Sequence, residues 1–183
     1  MKTYKVTIKG ITPLLMNKPS QLIAEKSKDR VRETGTPEEI AGLKLYELDG
    51  KIYQPATHLQ GALVEAGKQK KMLGKGSSRA TYSKVCGYAV QIEPFEIIHK
   101  KPKWEVFSIL AVNPTTKGRN ILHRPMLKDW ELDFEVVFDD TQIEVPVMKE
   151  LFDIAGKIVG IGDWRPAKKG RFGKFQVTSW KEA

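Results

Sequence analysis

The sequence predicts an α+β fold whose elements run β-α-β-β-α-β. Three observations carry this. The amino-terminal "TYKVTIKGIT" alternates Tyr4, Val6 and Ile8 with Thr3, Lys5, Thr7 and Lys9, the period of a strand with one buried face. Two later segments, "PATHLQGALVEAGKQKK" and "PVMKELFDIAGKIVGIG", repeat apolar residues at helical spacing. Runs rich in β-branched and aromatic residues separate and follow them. A hydrophobic share of 40% in 183 residues supplies a core without disulfides, and the single Cys86 has no partner for an internal bridge. One domain over residues 1–183 is expected.

In chain order, the first strand gives way to a segment with little pattern, where "AEKSKDRVRE" precedes "TGTPEEIAG"; residues 13–46 read as a long insertion carrying some helix. In "LYELDGKIYQP", Asp49-Gly50 between apolar-alternating arms signals a tight hairpin. In the first long helix, Thr57 and Gln60 stand at capping-box spacing, and Leu59, Ala62, Leu63 and Ala66 mark one face. The following "GKQKKMLGKGSSRATYSK" reads as a mobile basic loop. "YAVQIEPFEII", "WEVFSILAVN" and "WELDFEVVFDD" read as strands, with "HKKPK" and "NPTTKGRN" as turns and residues 95–127 as a β-rich insertion. Pro146 opens the second helix, with Val147, Leu151, Ile154, Ala155 and Ile158 on its inner side. "FGKFQVTSWKE" is the last strand. This order is the ferredoxin-like, RRM-like arrangement.

Charge narrows the function. The net charge is +9, yet residues 128–150 hold eight acids against Lys128 and Lys149, a local −6 that leaves +15 elsewhere. Such asymmetry suits nucleic acid, an anionic membrane surface or an acidic protein partner. No signal peptide or bilayer-length apolar run is read, so the expectation is a cytoplasmic protein without membrane attachment.

The stretch "GIGDWRPAKKGRFGKFQV" sets Gly160, Gly162, Gly170 and Gly173 among Arg165, Lys168, Lys169, Arg171 and Lys174, with Trp164 and Phe172. Glycine lets backbone approach a bulky partner, cations attract phosphate, and rings stack on bases. A nucleotide phosphate loop would need Ser or Thr after its lysine, and Phe175 follows Lys174. Lys70, Lys71, Lys75 and Arg79 form a second candidate patch, and His58, Arg119, His123 and Arg124 could touch a strand's backbone. The three histidines lack metal-ligand spacing, so no metal or cofactor is expected. Asp139-Asp140 reads as turn chemistry, which leaves Asp29 as the one acid kept for phosphodiester chemistry. Trp104 and Trp164 are assigned to a ligand face, Trp130 and Trp180 to the core.

"IYQPATHLQGALVEAG", with Pro55, Thr57, Leu59 and Gly61 at a strand-to-helix junction, together with the late glycine-rich loop, resembles the RAMP superfamily. These are repeat-associated RNA-binding proteins that include backbone subunits of CRISPR effector complexes. The resemblance covers about a fifth of the chain, and "NKPSQLIAEKSKDRVRE" departs from the aspartate-bearing segment of target-cleaving members. Its length, short for such subunits, fits a solitary relative encoded by a virus or other mobile element. The resemblance implies a grip on single-stranded nucleic acid, RNA ahead of single-stranded DNA, and assembly side by side along the strand, as a homo-oligomeric filament or with other effector subunits. The expected function is non-enzymatic binding. The alternatives are an RNA-processing or target-cleaving nuclease that uses His58, His123 or Asp29, and a module docking an acidic protein.

Overall fold

The computed structural model describes residues 1–19, 35–72, 80–112 and 117–183. β1 (Lys2–Gly10) alternates as its sequence requires, with Tyr4, Val6 and Ile8 buried and Lys5 and Lys9 exposed. β2 (Leu14–Leu15), the short helix α1 (Pro37–Gly42), β3 (Glu47–Leu48) and β4 (Lys51–Pro55) follow. Asp49 and Gly50 both take positive φ, as a two-residue hairpin turn demands, so this hairpin forms where the sequence places it. The chain continues through α2 (Ala56–Gln69), α3 (Ser83–Tyr88), β5 (Val90–Glu93) and β6 (Glu96–Ile98). A hairpin of β7 (Glu105–Val112) and β8 (Arg119–Leu127) leads to β9 (Glu131–Phe138), α4 (Val145–Ile154) and β10 (Phe175–Glu182).

The main sheet is antiparallel in the order β10-β1-β9-β5. With α2 joining β1 to β5 and α4 joining β9 to β10, this is a ferredoxin-like core. Tyr4, Val6, Ile8, Leu132, Phe134, Val136 and Phe138 fill one face of the sheet and meet Leu59, Leu63, Met148, Leu151 and Phe152 in one cluster. Each large side chain there contributes about 2 kcal/mol by leaving water. Trp130 is fully buried and donates its indole N–H to the Thr12 carbonyl at 2.8 Å. The other face of the sheet is open and carries Lys5, Thr7 and Lys9 from β1 beside Glu131, Asp133 and Glu135 from β9. Two further sheets, β2-β8-β7 and β3-β4-β6, complete the strand set. Among the described residues no helix is long and apolar enough to cross a membrane.

Four local readings are corrected. α2 has Pro55 at its N-cap and no side-chain cap; the Gln60 amide donates instead to the Cys86 carbonyl. The capping box belongs to α1, where Thr36 and Glu39 bond each other's backbone N–H. After Ile154 the second helix widens into a π turn, Ala155–Val159. Its extra residue moves the inward position from Ile158, 51% exposed, to buried Val159. "YAVQIEPFEII" is two strands: β5 edges the main sheet, β6 pairs with β4, and Pro94, which has no N–H to donate, stands between. Finally, β8 arises from "RNILHRPML", whose charges and proline hide any alternation.

Candidate nucleic-acid interface

The glycine-rich segment is a folded structure docked on residues 11–16. Asp163 N–H donates to the Leu15 carbonyl, Gly173 N–H to Pro13, and Lys174 N–H to Thr12 Oγ1, at 2.8–3.0 Å. Ile161 N–H donates to Gly173 and Phe172 N–H to Trp164 across the loop. Gly160, Gly162 and Gly173 have φ of +71°, +79° and +70°. A Cβ on Gly162 would lie 2.5 Å from the Leu15 carbonyl oxygen, and on Gly170 or Gly173 it would overlap the carbonyl of Trp164 or Ile161. The close approach expected toward a phosphate is therefore taken by the chain's own backbone. Phe172 is likewise corrected: it is buried, its ring edge-to-face with Phe107 at 5.2 Å. Trp164 is half-buried at positive φ.

This rigid loop holds its cations outward. Lys168, on a 3-10 turn (Pro166–Lys168), Lys169 and Arg171 are exposed, and Arg165 and Lys174 are half-buried. Arg165 donates to the Gly162 carbonyl at 3.1 Å and borders a groove of about 520 Å³ with Thr57, His58, Gly61, Ile161 and Gly162. Burial, and then the Arg165 charge, hold His58 below its ordinary pKa, so its imidazole is neutral at pH 7. The Gln54 amide meets His58 Nδ1, and the Tyr46 hydroxyl lies 3.5 Å from Nε2. Burial, with Tyr53 and Asp163 nearby, raises the Tyr46 pKa and keeps that hydroxyl protonated.

The other predicted residues divide. The Arg124 side chain, 12% exposed, donates Nε–H to Asp163 Oδ2 at 2.9 Å and so pins β8 to the loop; its charge is committed within the fold. His123 Nδ1 meets Ser108 Oγ at 2.7 Å across the β7–β8 hairpin. Arg119 is exposed about 17 Å further along β8. Lys70 pairs with Glu150 at 2.6 Å, and it and exposed Lys71 stand about 18 Å along α2 from His58. Lys75, Arg79 and Asp29 lie outside the described residues. Of the two ligand-facing tryptophans, Trp104 packs against the core. Within the acidic segment, Lys100 bridges Glu131 and Asp133, and Lys101 pairs with Asp129. The structure thus joins His58 to Arg165, sets the other loop cations on the same segment as Arg165, and leaves Arg119, Lys70 and Lys71 apart. Sequence reading missed Tyr46, Tyr53, Gln54 and Asp163. The two-residue turn at Asp49-Gly50 does imply that residues 46 and 53 face each other, a signal that could have found both tyrosines.

No family model matches the chain, and no curated protein matches it. Solved structures do. A chain of the Type III-B Cmr-beta bound to cognate target RNA, determined by cryo-EM, matches with a TM-score of 0.60 at 12% sequence identity. The match covers 99% of this chain and 61% of that one, so this chain spans about three fifths of its neighbour's length. The two share a fold.

Proposed function

We propose that the chain binds single-stranded RNA by its phosphate backbone, along the groove between the first turn of α2 and the 160–174 loop, without cleaving it. The carrying observation is that Arg165 and His58 line one groove while Lys168, Lys169 and Arg171 stand exposed on the same loop, whose backbone is fixed by hydrogen bonds. A loop whose backbone is already fixed loses little backbone freedom when its cations meet phosphate. The open face of the main sheet is a poorer candidate. RRM sheets stack bases on aromatics, and here that face carries acids between its lysines. RNA is preferred to DNA on the RAMP resemblance and on a fold shared with a chain of an RNA-bound complex. The same resemblance supports side-by-side assembly, with further copies or other effector subunits, in antiviral defence. The test is fluorescence anisotropy with a labelled single-stranded RNA and its duplex. Tighter binding to the single strand is expected, and tighter binding to the duplex overturns the reading.

One observation favours cleavage as a second reading. His58, neutral and set beside Arg165 in the groove, places an imidazole next to a phosphate bound there; its Nδ1 accepts from the Gln54 amide, so taking a proton requires that amide to turn away. Multiple-turnover cleavage of labelled RNA, abolished in His58→Ala, would establish it.

A further inference from the structure

We propose that the outer face of the β3-β4-β6 sheet is a base-stacking platform, on which an unpaired nucleobase rests against Tyr53 and Tyr46 while its phosphate lies at Arg165. The inference rests on the backbone-binding reading above and adds a base subsite to it. The register defines the face. Tyr53 lies opposite Ile98 and Leu48 opposite Lys51, and Tyr53 N–H donates to the Tyr46 carbonyl. Residues directly opposite in an antiparallel pair share a face, so Tyr46, Leu48, Lys51, Tyr53 and Ile98 lie on one side. Ile52, Gln54 and Ile97 are buried on the other.

A sheet with one side in the core ordinarily turns polar residues outward. This one turns out half-buried Tyr53 and Tyr46, the latter also packing against the core, with Leu48 50% and Ile98 44% exposed, beside the two charged residues Lys51 and Glu96. The patch also runs into the groove. The Tyr46 ring is 5.8 Å from Tyr53 and 5.2 Å from His58, both edge-to-face, and His58 feels the Arg165 charge. Rings, an aliphatic rim and a cation at one margin match a nucleotide, whose apolar base face and anionic phosphate are joined in one unit. The main sheet offers no such combination on its open side, where Lys5, Lys9, Asp133 and Glu135 stand.

The experiment compares a labelled single-stranded RNA with an abasic sugar-phosphate strand of the same length, by anisotropy against salt. The wild type should bind the base-bearing strand on the order of tenfold more tightly. Tyr46→Leu/Tyr53→Leu, which keeps apolar bulk without rings, should erase that preference and leave abasic affinity and salt slope unchanged, with circular dichroism confirming the fold. Arg165→Ala should weaken both strands. Full preference retained in the double-leucine variant, or equal weakening of both strands by it, overturns the platform while the backbone-binding reading stands. A wild type that binds neither strand overturns both.

Discussion

His99 makes the protein's stability depend on pH in a way that can be worked out from its surroundings. The side chain is 3% exposed, neither ring nitrogen has a hydrogen-bond partner among the described residues, and the ring lies edge-to-face with Trp130 at 6.4 Å. Burial pushes its pKa from 6.5 down to about 4. The folded protein therefore holds His99 neutral, while the unfolded chain takes up a proton at the ordinary pKa. Above pH 6.5 the group makes no difference. As pH falls from 6.5 to 4, stability is lost, by about 3 kcal/mol in full and about 2 kcal/mol by pH 5. Urea unfolding at pH 7 and pH 5, for the wild type and His99→Leu, measures this. Carboxylates and His58 titrate in both proteins, so they cancel in the comparison. Leucine removes both unpartnered nitrogens and should cost little at pH 7. The variant should lose about 2 kcal/mol less than the wild type between the two pH values. Equal losses would refute the burial argument.

Three further outcomes follow from the geometry. Gly170→Ala forces a Cβ into the Trp164 carbonyl and should cost about 2–3 kcal/mol in thermal unfolding; an unchanged Tm would mean that the loop is not docked as described. Arg124→Ala strands Asp163 and should lower stability by about 2 kcal/mol without altering the salt dependence of RNA binding. A weaker salt dependence at unchanged stability would instead make Arg124 a phosphate contact. Reversing Asp129, Glu131, Asp133 and Glu135 to lysine should lower cooperativity on long RNA and spare affinity for a short single-site strand, because copies meeting head to tail through these acids, although three of them already pair with Lys100 and Lys101, build a filament that does not close. Sedimentation showing one protein per strand, whatever the strand length, contradicts that assembly.

The core was legible in the sequence because each of its elements keeps one period. β1, α2, β9 and the Asp49-Gly50 turn carry apolar positions or turn chemistry that depend only on near neighbours. The missing features depend on distant ones. β8 is held as a strand by its ladder with β7 and by the Arg124–Asp163 pair, so its own residues do not announce it. The late glycines were visible, but their partners were not. Gly162 and Gly173 meet residues 13–15, and nothing within the loop says so. His58 was legible as a candidate, whereas the Tyr46 hydroxyl and the Gln54 amide that frame it come from the other end of a hairpin and the strand before it.

The central claim is that loop cations beside the α2 groove hold the phosphates of a single strand. The slope of log affinity against log salt tests it most directly. Five contacts, from Arg165, Lys168, Lys169, Arg171 and Lys174, predict a slope of about −3.5 on single-stranded RNA. Replacing exposed Lys168, Lys169 and Arg171 by alanine should bring it to about −1.4 with the fold unchanged. A flat response in the wild type, or the wild-type slope kept by that folded variant, would contradict the account.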